Sequence, residues 1–326
     1  MKKNEIVGIG AALIDLLIEE TDDFLKHIGG EKGGMTLVDA AEISQHLAGT
    51  RKNPQQVPGG SACNTLVGIG RLGGEASFVG ACGADSYGES FLKGLREANV
   101  KSQLKRGSVE TGRVLSVVTP DAQRTMFTYL GAAAELNPAD VDLRHLESAA
   151  IVHLEGYLLF NRDLTLYILE LLKNTSALVS LDLASFQVVE ASRDLLEKIL
   201  PEHVDIVLAN EDEAKAYTGK DEAASLEAFA QLCNVAVVKK GKHGALIARG
   251  EERVAVEAQL VQAVDTTGAG DLWASGFLFG LAQGLDLKQC GLLAAKVASE
   301  VVQVYGASIP EEGWSRIAEW RSSQNI

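Results

Sequence analysis

Short apolar segments alternate with helical patterns along most of this chain of 326 residues, and this alternation limits the fold more than any other feature. The helical patterns lie at residues 86–98, 164–173 and 226–232. Strands that alternate with helices in this way form a parallel sheet with helices on both faces. We therefore predict an α/β fold, a three-layer α/β/α sandwich, with core strands at residues 6–9, 76–81, 151–154, 177–183, 206–209 and 235–239.

Two segments, residues 11–57 and 101–131, break this rhythm and predict a small β-rich lid over one edge of the core. The second segment contains strand patterns at residues 104–107, 113–119 and 124–130, and the turn Thr119-Pro120-Asp121-Ala122 would join the last two as a hairpin. Because two strands alone are marginally stable in water, the lid needs both segments. The predicted core is residues 1–10, 58–100 and 132–326.

Charge, hydropathy and cysteine content exclude several classes of protein. The formal net charge is −14 and no dense run of Lys or Arg occurs, so we expect neither nucleic acid nor an anionic membrane as a partner. No apolar stretch is long enough to span a bilayer, and Glu5 and Asp15 interrupt the apolar N-terminal segment, which we interpret as a first strand. The four cysteines form no C-x-x-C pair, which predicts mostly buried thiols in a reducing compartment, the cytoplasm.

The string AVDTTGAGD, residues 263–271, is the most specific chemical signal. The segment LWASGFLFGLAQGL that follows it is apolar almost all round, which predicts a buried helix. The glycines before the helix allow the backbone to turn tightly and to approach a ligand. Free amides and the positive dipole end at a helix start attract an anion such as phosphate.

Asp271 stands in this predicted anion site, although a carboxylate repels phosphate. Its presence makes sense if it accepts a proton from an attacking hydroxyl. The amides of the glycine turn would then stabilise charge on a transferred phosphoryl group, with Mg²⁺ assisting. The residues alone fit a second interpretation equally well, in which Asp271 caps the helix and the glycines form an ordinary tight turn.

DTTGAGD resembles the signature of the PfkB carbohydrate kinases, also called the ribokinase family, and the resemblance extends over about residues 6–306. It implies a ribokinase-like core with a lid, and ATP with Mg²⁺ as the phosphate donor. It also implies that Asp271 is the catalytic base. The resemblance assigns the anion hole to Gly268, Ala269 and Gly270.

Other segments resemble the substrate-binding motifs of the family. The turn VPGGSACN, residues 57–64, brings the backbone close to a small polar ligand or simply enters a helix. A carboxylate in an apolar run, such as that of Asp15, faces water or binds ligand hydroxyls. Glu155 ends a predicted strand at the ligand-binding edge of the sheet, or is a solvated loop residue. By resemblance, the substrate-binding residues are Asp15, Gly59, Gly60, Asn64 and Glu155.

Three more segments resemble the nucleotide and cation contacts of the family. NEDE at residues 210–213 matches an Asn-x-x-Glu motif that holds magnesium through water, although acidic residues there also complement a helix dipole. Residues 239–244 fit a hairpin turn, and the corresponding family loop flanks the nucleotide, usually with a Thr where Lys239 stands. Asp265, with the loop near Gly306, resembles a monovalent-cation site for K⁺. The nucleotide contacts implied are Asn210, Glu213, Lys239, Gly241, Gly244 and Thr267, with Glu213 also on the metal.

Within the family, the segments KGGMTLVD, TPDAQRTMFTYLGAAAEL and HLEGYLL look closest to the adenosine-kinase-like subgroup. The predicted reaction is phosphate transfer from ATP to the primary 5′-hydroxyl of a nucleoside such as adenosine, or to a ribose-like sugar. The open alternatives are fructose, another sugar or a sugar phosphate as acceptor, and a nucleotide-binding regulator without catalysis. No G-x-x-x-x-G-K-[ST] string occurs, so a P-loop kinase is excluded. We expect a monomer or a homodimer.

Overall fold

Strands and the helices that connect them make up most of the computed structural model, which describes residues 4–30, 32–121 and 123–326. The strands are β1 (Ile6–Ile9), β2 (Leu13–Glu19), β3 (Met35–Leu37), β4 (Gln55–Gly59), β5 (Ala76–Cys82), β6 (Val100–Arg106), β7 (Thr111–Val118), β8 (Arg124–Gly131), β9 (Ile151–Glu155), β10 (Leu178–Asp182), β11 (Ile206–Asn210), β12 (Val235–Lys239), β13 (Ala245–Arg249) and β14 (Glu252–Val256). The helices are α1 (Asp22–Ile28), α2 (Ala40–Gly49), α3 (Ser61–Arg71), α4 (Ser86–Glu97), α5 (Leu143–Glu147), α6 (Arg162–Leu172), α7 (Phe186–Ala191), α8 (Arg193–His203), α9 (Glu211–Thr218), α10 (Glu222–Ala230), α11 (Ala269–Gln283), α12 (Leu287–Val301) and α13 (Glu311–Gln324).

The core is built on one sheet, which within the described residues has nine strands in the order β14-β13-β12-β11-β10-β9-β1-β5-β6. The strands from β12 to β6 pair in parallel, and β13 and β14 continue the sheet as antiparallel strands. Phe277 of α11 and Leu293 of α12 belong to the apolar cluster on one face, whereas Ile168 of α6 and Leu196 of α8 belong to the cluster on the other. The predicted three-layer sandwich is therefore confirmed.

The lid is a second sheet, which within the described residues has five strands in the order β3-β8-β7-β2-β4. β7 and β8 form the predicted hairpin, with Val118 opposite Arg124, although Ala122 of the predicted turn lies outside the described residues. β2 pairs in parallel with β7 and antiparallel with β4. The segments 11–57 and 101–131, which interrupt the alternation of strands and helices, thus contribute strands to one sheet.

The boundaries predicted for the lid are wrong at two points. β6 pairs in parallel with β5 and is the edge strand of the core, where its polar sequence KSQLKR is exposed or half-buried. β4 extends the lid to Gly59, so the core resumes after it and not at residue 58. The segment 11–57 also contains α1 and α2, and the start of α2 carries a capping box between Asp39 and Glu42.

The structure also bears on the predictions made from composition. All four cysteines are buried as free thiols, as predicted. No helix in residues 4–30, 32–121 and 123–326 has the length and apolar character needed to cross a membrane.

Candidate active site

A cavity of about 1230 Å³ lies between the lid and the carboxyl ends of the core strands. Strands β9, β10, β11 and β12 each contribute their last residue to its wall, and the first turns of α3 and α11 contribute further residues. Ligands of open α/β sheets bind at this edge. Residues that are far apart in sequence therefore meet here, namely Asp15, Ser61, Asn64, Glu155, Asp182, Asn210, Glu213, Lys239 and Asp271.

The glycine turn before α11 has a backbone geometry that requires glycine. Gly268 has a φ of 69°, and a Cβ at this position would lie 2.4 Å from the Cβ of Ala307. The carboxylate of Asp265 accepts hydrogen bonds from the amide (2.9 Å) and hydroxyl (2.7 Å) of Thr267 and from the amide of Gly306 (2.8 Å). Asp265 therefore fixes the turn to the loop at Gly306, the pair of segments that the sequence links to a cation site.

The first turn of α11 directs its amides into this region. Ala269 donates its amide to the carbonyl of Thr266 at 3.1 Å, whereas the amides of Gly270 and Asp271 lie where an α-helix provides no acceptor of its own. The apolar sequence buries most of α11, as predicted, so the positive end of its dipole lies inside the protein. This arrangement can bind an anion.

The Asp271 carboxylate faces α3. Ser61 donates to its Oδ1 at 2.7 Å, and the side-chain amide of Asn64 donates to its Oδ2 at 2.9 Å. Burial raises the pKa of Asp271, the two donors lower it, and the nearby Asp182 carboxylate raises it further. The N-cap of α11 is Gly268, and Asp271 does not cap the helix. The interpretation of Asp271 as a simple cap is therefore wrong.

Asp15 projects from the lid strand β2 into the same cavity. The pKa of Asp15 is raised to about 6. Burial is the main cause, the Asp271 carboxylate adds to the shift, and the Arg124 guanidinium opposes it. A Cβ on Gly59 would lie 2.7 Å from the Asp15 Cγ, so glycine at this position leaves room for the carboxylate. The structure thus brings the predicted substrate residues Asp15 and Gly59 together.

Glu155 ends β9 and is 2% exposed. Its Oε1 accepts a hydrogen bond from the Ala11 amide at 2.8 Å, and its Oε2 accepts one from the Ala62 amide at 2.9 Å. The pKa of Glu155 is raised to about 7. Burial is the main cause, the Asp271 carboxylate adds to the shift, and the two amides oppose it. Both carboxylate oxygens therefore hold backbone, although the side chain borders the cavity.

The Asn-x-x-Glu motif forms the start of α9. Asn210 Oδ1 accepts from the Glu213 amide at 2.8 Å, and the Glu213 carboxylate accepts from the backbone amide (2.8 Å) and the side-chain amide (2.7 Å) of Asn210. The pKa of Glu213 is raised to about 7. Burial and the Asp182 carboxylate raise it, and the Lys239 ammonium partly opposes this shift. The motif caps the helix and also lines the cavity.

Lys239 is paired with an acidic residue that the sequence analysis missed. Its Nζ lies 2.7 Å from Oδ2 of Asp182, and the two side chains are only 11% and 6% exposed. Burial lowers the pKa of Lys239, but the carboxylates of Asp182 and Glu213 raise it above its usual value, so the ammonium stays charged. A Cβ on Gly270 would lie 3.3 Å from this Nζ, which places the ammonium beside the glycine turn.

The hairpin between β12 and β13 borders the cavity, as does Thr267. Gly241 has a φ of 50° and Gly244 a φ of 84°, and a Cβ on Gly244 would lie 1.9 Å from the carbonyl oxygen of Val256. Glycine is thus required at Gly244 by the hairpin itself. The structure therefore confirms the turn, and its contact with a nucleotide stays a prediction.

The sequence analysis also missed residues in the part of the cavity beneath the lid. Arg124 of β8 lines it beside Asp15, contacts the Met126 sulfur, and has a buried Nη1 with no hydrogen-bond partner among the described residues. A largely apolar wall also lines the cavity. This wall comprises Leu13, Leu37, Met126, Leu136, Tyr157 and Phe160.

Comparison with known proteins gives the family. The model of the pfkB family of carbohydrate kinases matches residues 31–313. The crystal structure of a probable sugar kinase from Rhizobium etli CFN 42 is 33% identical over 99% of both chains, with a TM-score of 0.91. The structure of adenosine kinase from Sinorhizobium meliloti is 33% identical over 98% of this chain and 99% of that one, with a TM-score of 0.90. Adenosine kinase from Saccharomyces cerevisiae is 27% identical over 94% of this chain and 97% of its own.

The fold and the site define a sugar or nucleoside kinase. The chain belongs to the pfkB family of carbohydrate kinases. Kinases of this family use ATP, generally with Mg²⁺. The enzyme class favoured by the sequence is thus confirmed over a regulator without catalysis.

The acidic residues of the cavity fit Mg²⁺ that arrives with the nucleotide. Among the described residues, no group of three or more His, Cys, Asp or Glu side chains is arranged to hold a metal ion by itself. Mg²⁺ is usually held by one or two carboxylates, several waters and substrate phosphates. Glu213 borders the cavity and would serve as such a carboxylate through water, whereas the Asp182 carboxylate is paired with Lys239.

Proposed function

We propose that this kinase transfers the γ-phosphate of ATP to the primary 5′-hydroxyl of a purine nucleoside such as adenosine. The observation that carries this proposal is the position of Asp271, which lies at the dipole-positive end of α11 in the same cavity as Asp15. The likeness to the adenosine kinases of Sinorhizobium meliloti and Saccharomyces cerevisiae supports a nucleoside acceptor.

The ribose of the acceptor binds between β2 and the start of α3. The Asp15 carboxylate accepts hydrogen bonds from ribose hydroxyls. Gly59 leaves room for this carboxylate, and the ribose binds against the Gly60 backbone, which lines the cavity. Asn64 contributes through its carbonyl oxygen, because its amide is bound to Asp271. The apolar wall beneath the lid suits a nucleobase, which a plain sugar does not possess.

The nucleotide lies along Gly241, Gly244 and Thr267, with its phosphates directed towards the first turn of α11. The Lys239 ammonium beside the glycine turn attracts the phosphates. Glu213 and Asn210 would hold Mg²⁺ through water, and the ion would neutralise part of the phosphate charge.

Asp271 takes the proton of the 5′-hydroxyl as the oxygen attacks the γ-phosphorus and the bond from phosphorus to the bridging oxygen of ADP breaks. The raised pKa of Asp271 favours proton acceptance, while Ser61 and Asn64 hold the carboxylate in one orientation. In the turn Gly268-Ala269-Gly270, the amide of Ala269 is bound to Thr266, so the amides of Gly270 and Asp271 stabilise most of the charge on the transferred phosphoryl group.

A sugar phosphate is the second candidate acceptor. The buried Nη1 of Arg124 has no partner among the described residues and lies beside Asp15, where it would pair with a phosphate on the acceptor. Fructose or another plain sugar would use Asp15 alone and leave both Arg124 and the apolar wall without a contact.

Three further properties belong to the same proposal. The turn held by Asp265 would bind K⁺. The backbone between Thr267 and Gly306 would hold the ion, because the Asp265 oxygens already accept hydrogen bonds from protein donors. The enzyme acts in the cytoplasm, a proposal supported by its four buried free thiols. It acts as a monomer or a homodimer.

An ADP-release assay with ATP, Mg²⁺ and a panel of nucleosides, sugars and sugar phosphates tests the proposal. We expect the highest kcat/KM with a purine nucleoside, and a loss of at least ~100-fold in turnover for Asp271→Asn with ATP binding retained. Retention of most activity by Asp271→Asn contradicts the assigned base. ATP binding by the wild type without turnover of any acceptor contradicts the proposed function as a whole.

A further inference from the structure

Two backbone segments that join the lid to the core cross beside each other. Residues 10–12 link β1 to β2 and form the first lid crossing. Gly60 links β4 to α3 and forms the second lid crossing. Gly60 has a φ of 99°, and a Cβ on it would lie 2.3 Å from the carbonyl oxygen of Ala11. A Cβ on Gly10 would lie 2.4 Å from Oε2 of Glu155. The two crossing segments therefore pack directly against each other and against one carboxylate.

Glu155 binds both crossings with the two oxygens of one side chain. The amide of Ala11 in the first crossing donates to Oε1, and the amide of Ala62, immediately after the second, donates to Oε2. Hydrogen bonds to a carboxylate are stronger than those between neutral groups. Glu155 is itself fixed, since it ends β9, which pairs with β1 in the centre of the core sheet.

Each crossing leads directly to a residue with a proposed chemical role. Ala62 lies in the first turn of α3, between Ser61 and Asn64, whose side chains hold the Asp271 carboxylate. Ala11 lies at the entrance to β2, the strand that carries Asp15. A change at Glu155 would therefore reach the base and the acceptor site together.

We infer that Glu155 is a positioning residue that clasps the two lid crossings and so sets the placement of Asp15 relative to Asp271. This inference rests on the proposed function for the roles of those two aspartates, whereas the clasp itself rests on the hydrogen bonds of Glu155 alone. In this role Glu155 contacts backbone, and the acceptor lies against Asp15.

A third connection between core and lid provides a matched control. The link from β6 to β7 is held by Asp85, whose carboxylate accepts from the amide (2.7 Å) and hydroxyl (2.7 Å) of Thr111 and from the amide of Gly88 (2.8 Å). Asp85 thus anchors the lid with a similar set of bonds, but these hydrogen bonds reach Gly88 and Thr111 and not α3 or the entrance to β2.

The test compares Glu155→Gln with Asp85→Asn in steady-state assays. Glutamine keeps one acceptor oxygen and turns an NH₂ group towards the second amide, so one crossing is released. We expect kcat to fall about 10- to 100-fold and the KM of the acceptor to rise about 10-fold, with the KM of ATP within about twofold of the wild type. For Asp85→Asn we expect kcat within about twofold of the wild type. Equal effects of the two variants on kcat overturn the inference.

Hydrogen exchange measured by mass spectrometry separates failure of the clasp from failure of the proposed function. If the wild type turns over no acceptor, the function fails, but at least one of the peptides covering residues 10–12 and 60–64 must still exchange faster in Glu155→Gln. Unchanged exchange in both peptides overturns the clasp. If Glu155→Gln does not fold, Glu155→Asp takes its place, because its carboxylate is withdrawn by one methylene and reaches only one amide. Full kcat and unchanged exchange in Glu155→Asp also overturn the clasp.

Discussion

Asn64 donates a hydrogen bond of 2.9 Å from its side-chain amide to Oδ2 of Asp271. Asn64 belongs to the glycine motif that begins α3, and Asp271 to the glycine motif that begins α11. Ser61 of the same first turn binds the other oxygen of Asp271 at 2.7 Å. The two motifs therefore form one unit, in which one helix start supplies a carboxylate and the other orients it.

Asn64→Ala should shift the pH dependence of catalysis. The Asn64 hydrogen bond lowers the pKa of Asp271, so its removal raises this pKa, and the base stays protonated up to a higher pH. We expect the acid limb of kcat/KM for the acceptor to move to higher pH, with a fall of about 10-fold at neutral pH. The control is Asn234→Ala, which removes an Asn-to-Asp hydrogen bond (2.8 Å, to Asp205) outside the site and should leave the limb in place. An unmoved limb in Asn64→Ala contradicts the role of Asn64.

Lys239→Met should destabilise the protein through Asp182. The variant leaves the buried Asp182 carboxylate without its ammonium partner, at a cost of about 3–5 kcal/mol. The double variant Lys239→Met/Asp182→Asn removes the orphaned charge and should recover much of this loss. Denaturant unfolding without nucleotide measures these two variants and the single variant Asp182→Asn. The control Arg162→Met, which breaks an exposed pair with Asp194, should change stability little. Additive losses in the double variant would show that the two residues are not coupled.

The sequence predicted the central strands well because parallel strands covered on both faces are short, continuous apolar segments. Ile206–Asn210 is such a strand and lies where the pattern places it. β6 was misassigned because an edge strand has solvent on one side and can be polar. The helices within the lid were missed, although the cap at Asp39 with Glu42 is a recognisable start signal.

The candidate site was predictable to the extent that its residues lie in local motifs. Asp271, Asn64 and Glu213 each stand in a short string with its own geometry, and the structure brings these strings to one cavity. Asp182 differs, because it stands in no such string and its partner Lys239 is 57 residues away in the chain. No local pattern specifies such pairs, since only the tertiary fold selects the partner.

Gly268→Ala should impair catalysis more than it impairs stability. Gly268 has a φ of 69°, and the new Cβ would meet the Cβ of Ala307 at 2.4 Å, so the start of α11 must shift. The control is Gly73→Ala, with a φ of 87° and open space around the new Cβ. We expect Gly73→Ala to lose about 1–2 kcal/mol in urea unfolding and Gly268→Ala to lose somewhat more because of the clash, but only Gly268→Ala to lose at least about 10-fold in kcat. Equal kcat values for both variants would contradict a role for the turn geometry in catalysis.

Asp15→Asn should stabilise the protein while it weakens acceptor binding. Burial raises the pKa of Asp15 from 3.8 to about 6, so the folded state binds this proton more tightly than the unfolded state. Its contribution to stability is therefore fully present below the unfolded pKa and is lost as pH rises through about 6. At about pH 8 we expect Asp15→Asn to exceed the wild type by up to about 3 kcal/mol in urea unfolding, and at about pH 4 the difference should shrink.

The KM of the acceptor at about pH 8 should rise at least about 10-fold in Asp15→Asn, because an amide cannot accept the hydroxyls as the carboxylate does. Asp23→Asn, on the exposed side of α1, is the control and should change neither quantity. A variant no more stable than the wild type at about pH 8 would show that Asp15 carries no burial cost there. An unchanged acceptor KM would remove Asp15 from the acceptor site, since its carboxylate is the group from β2 that this site places against the ribose.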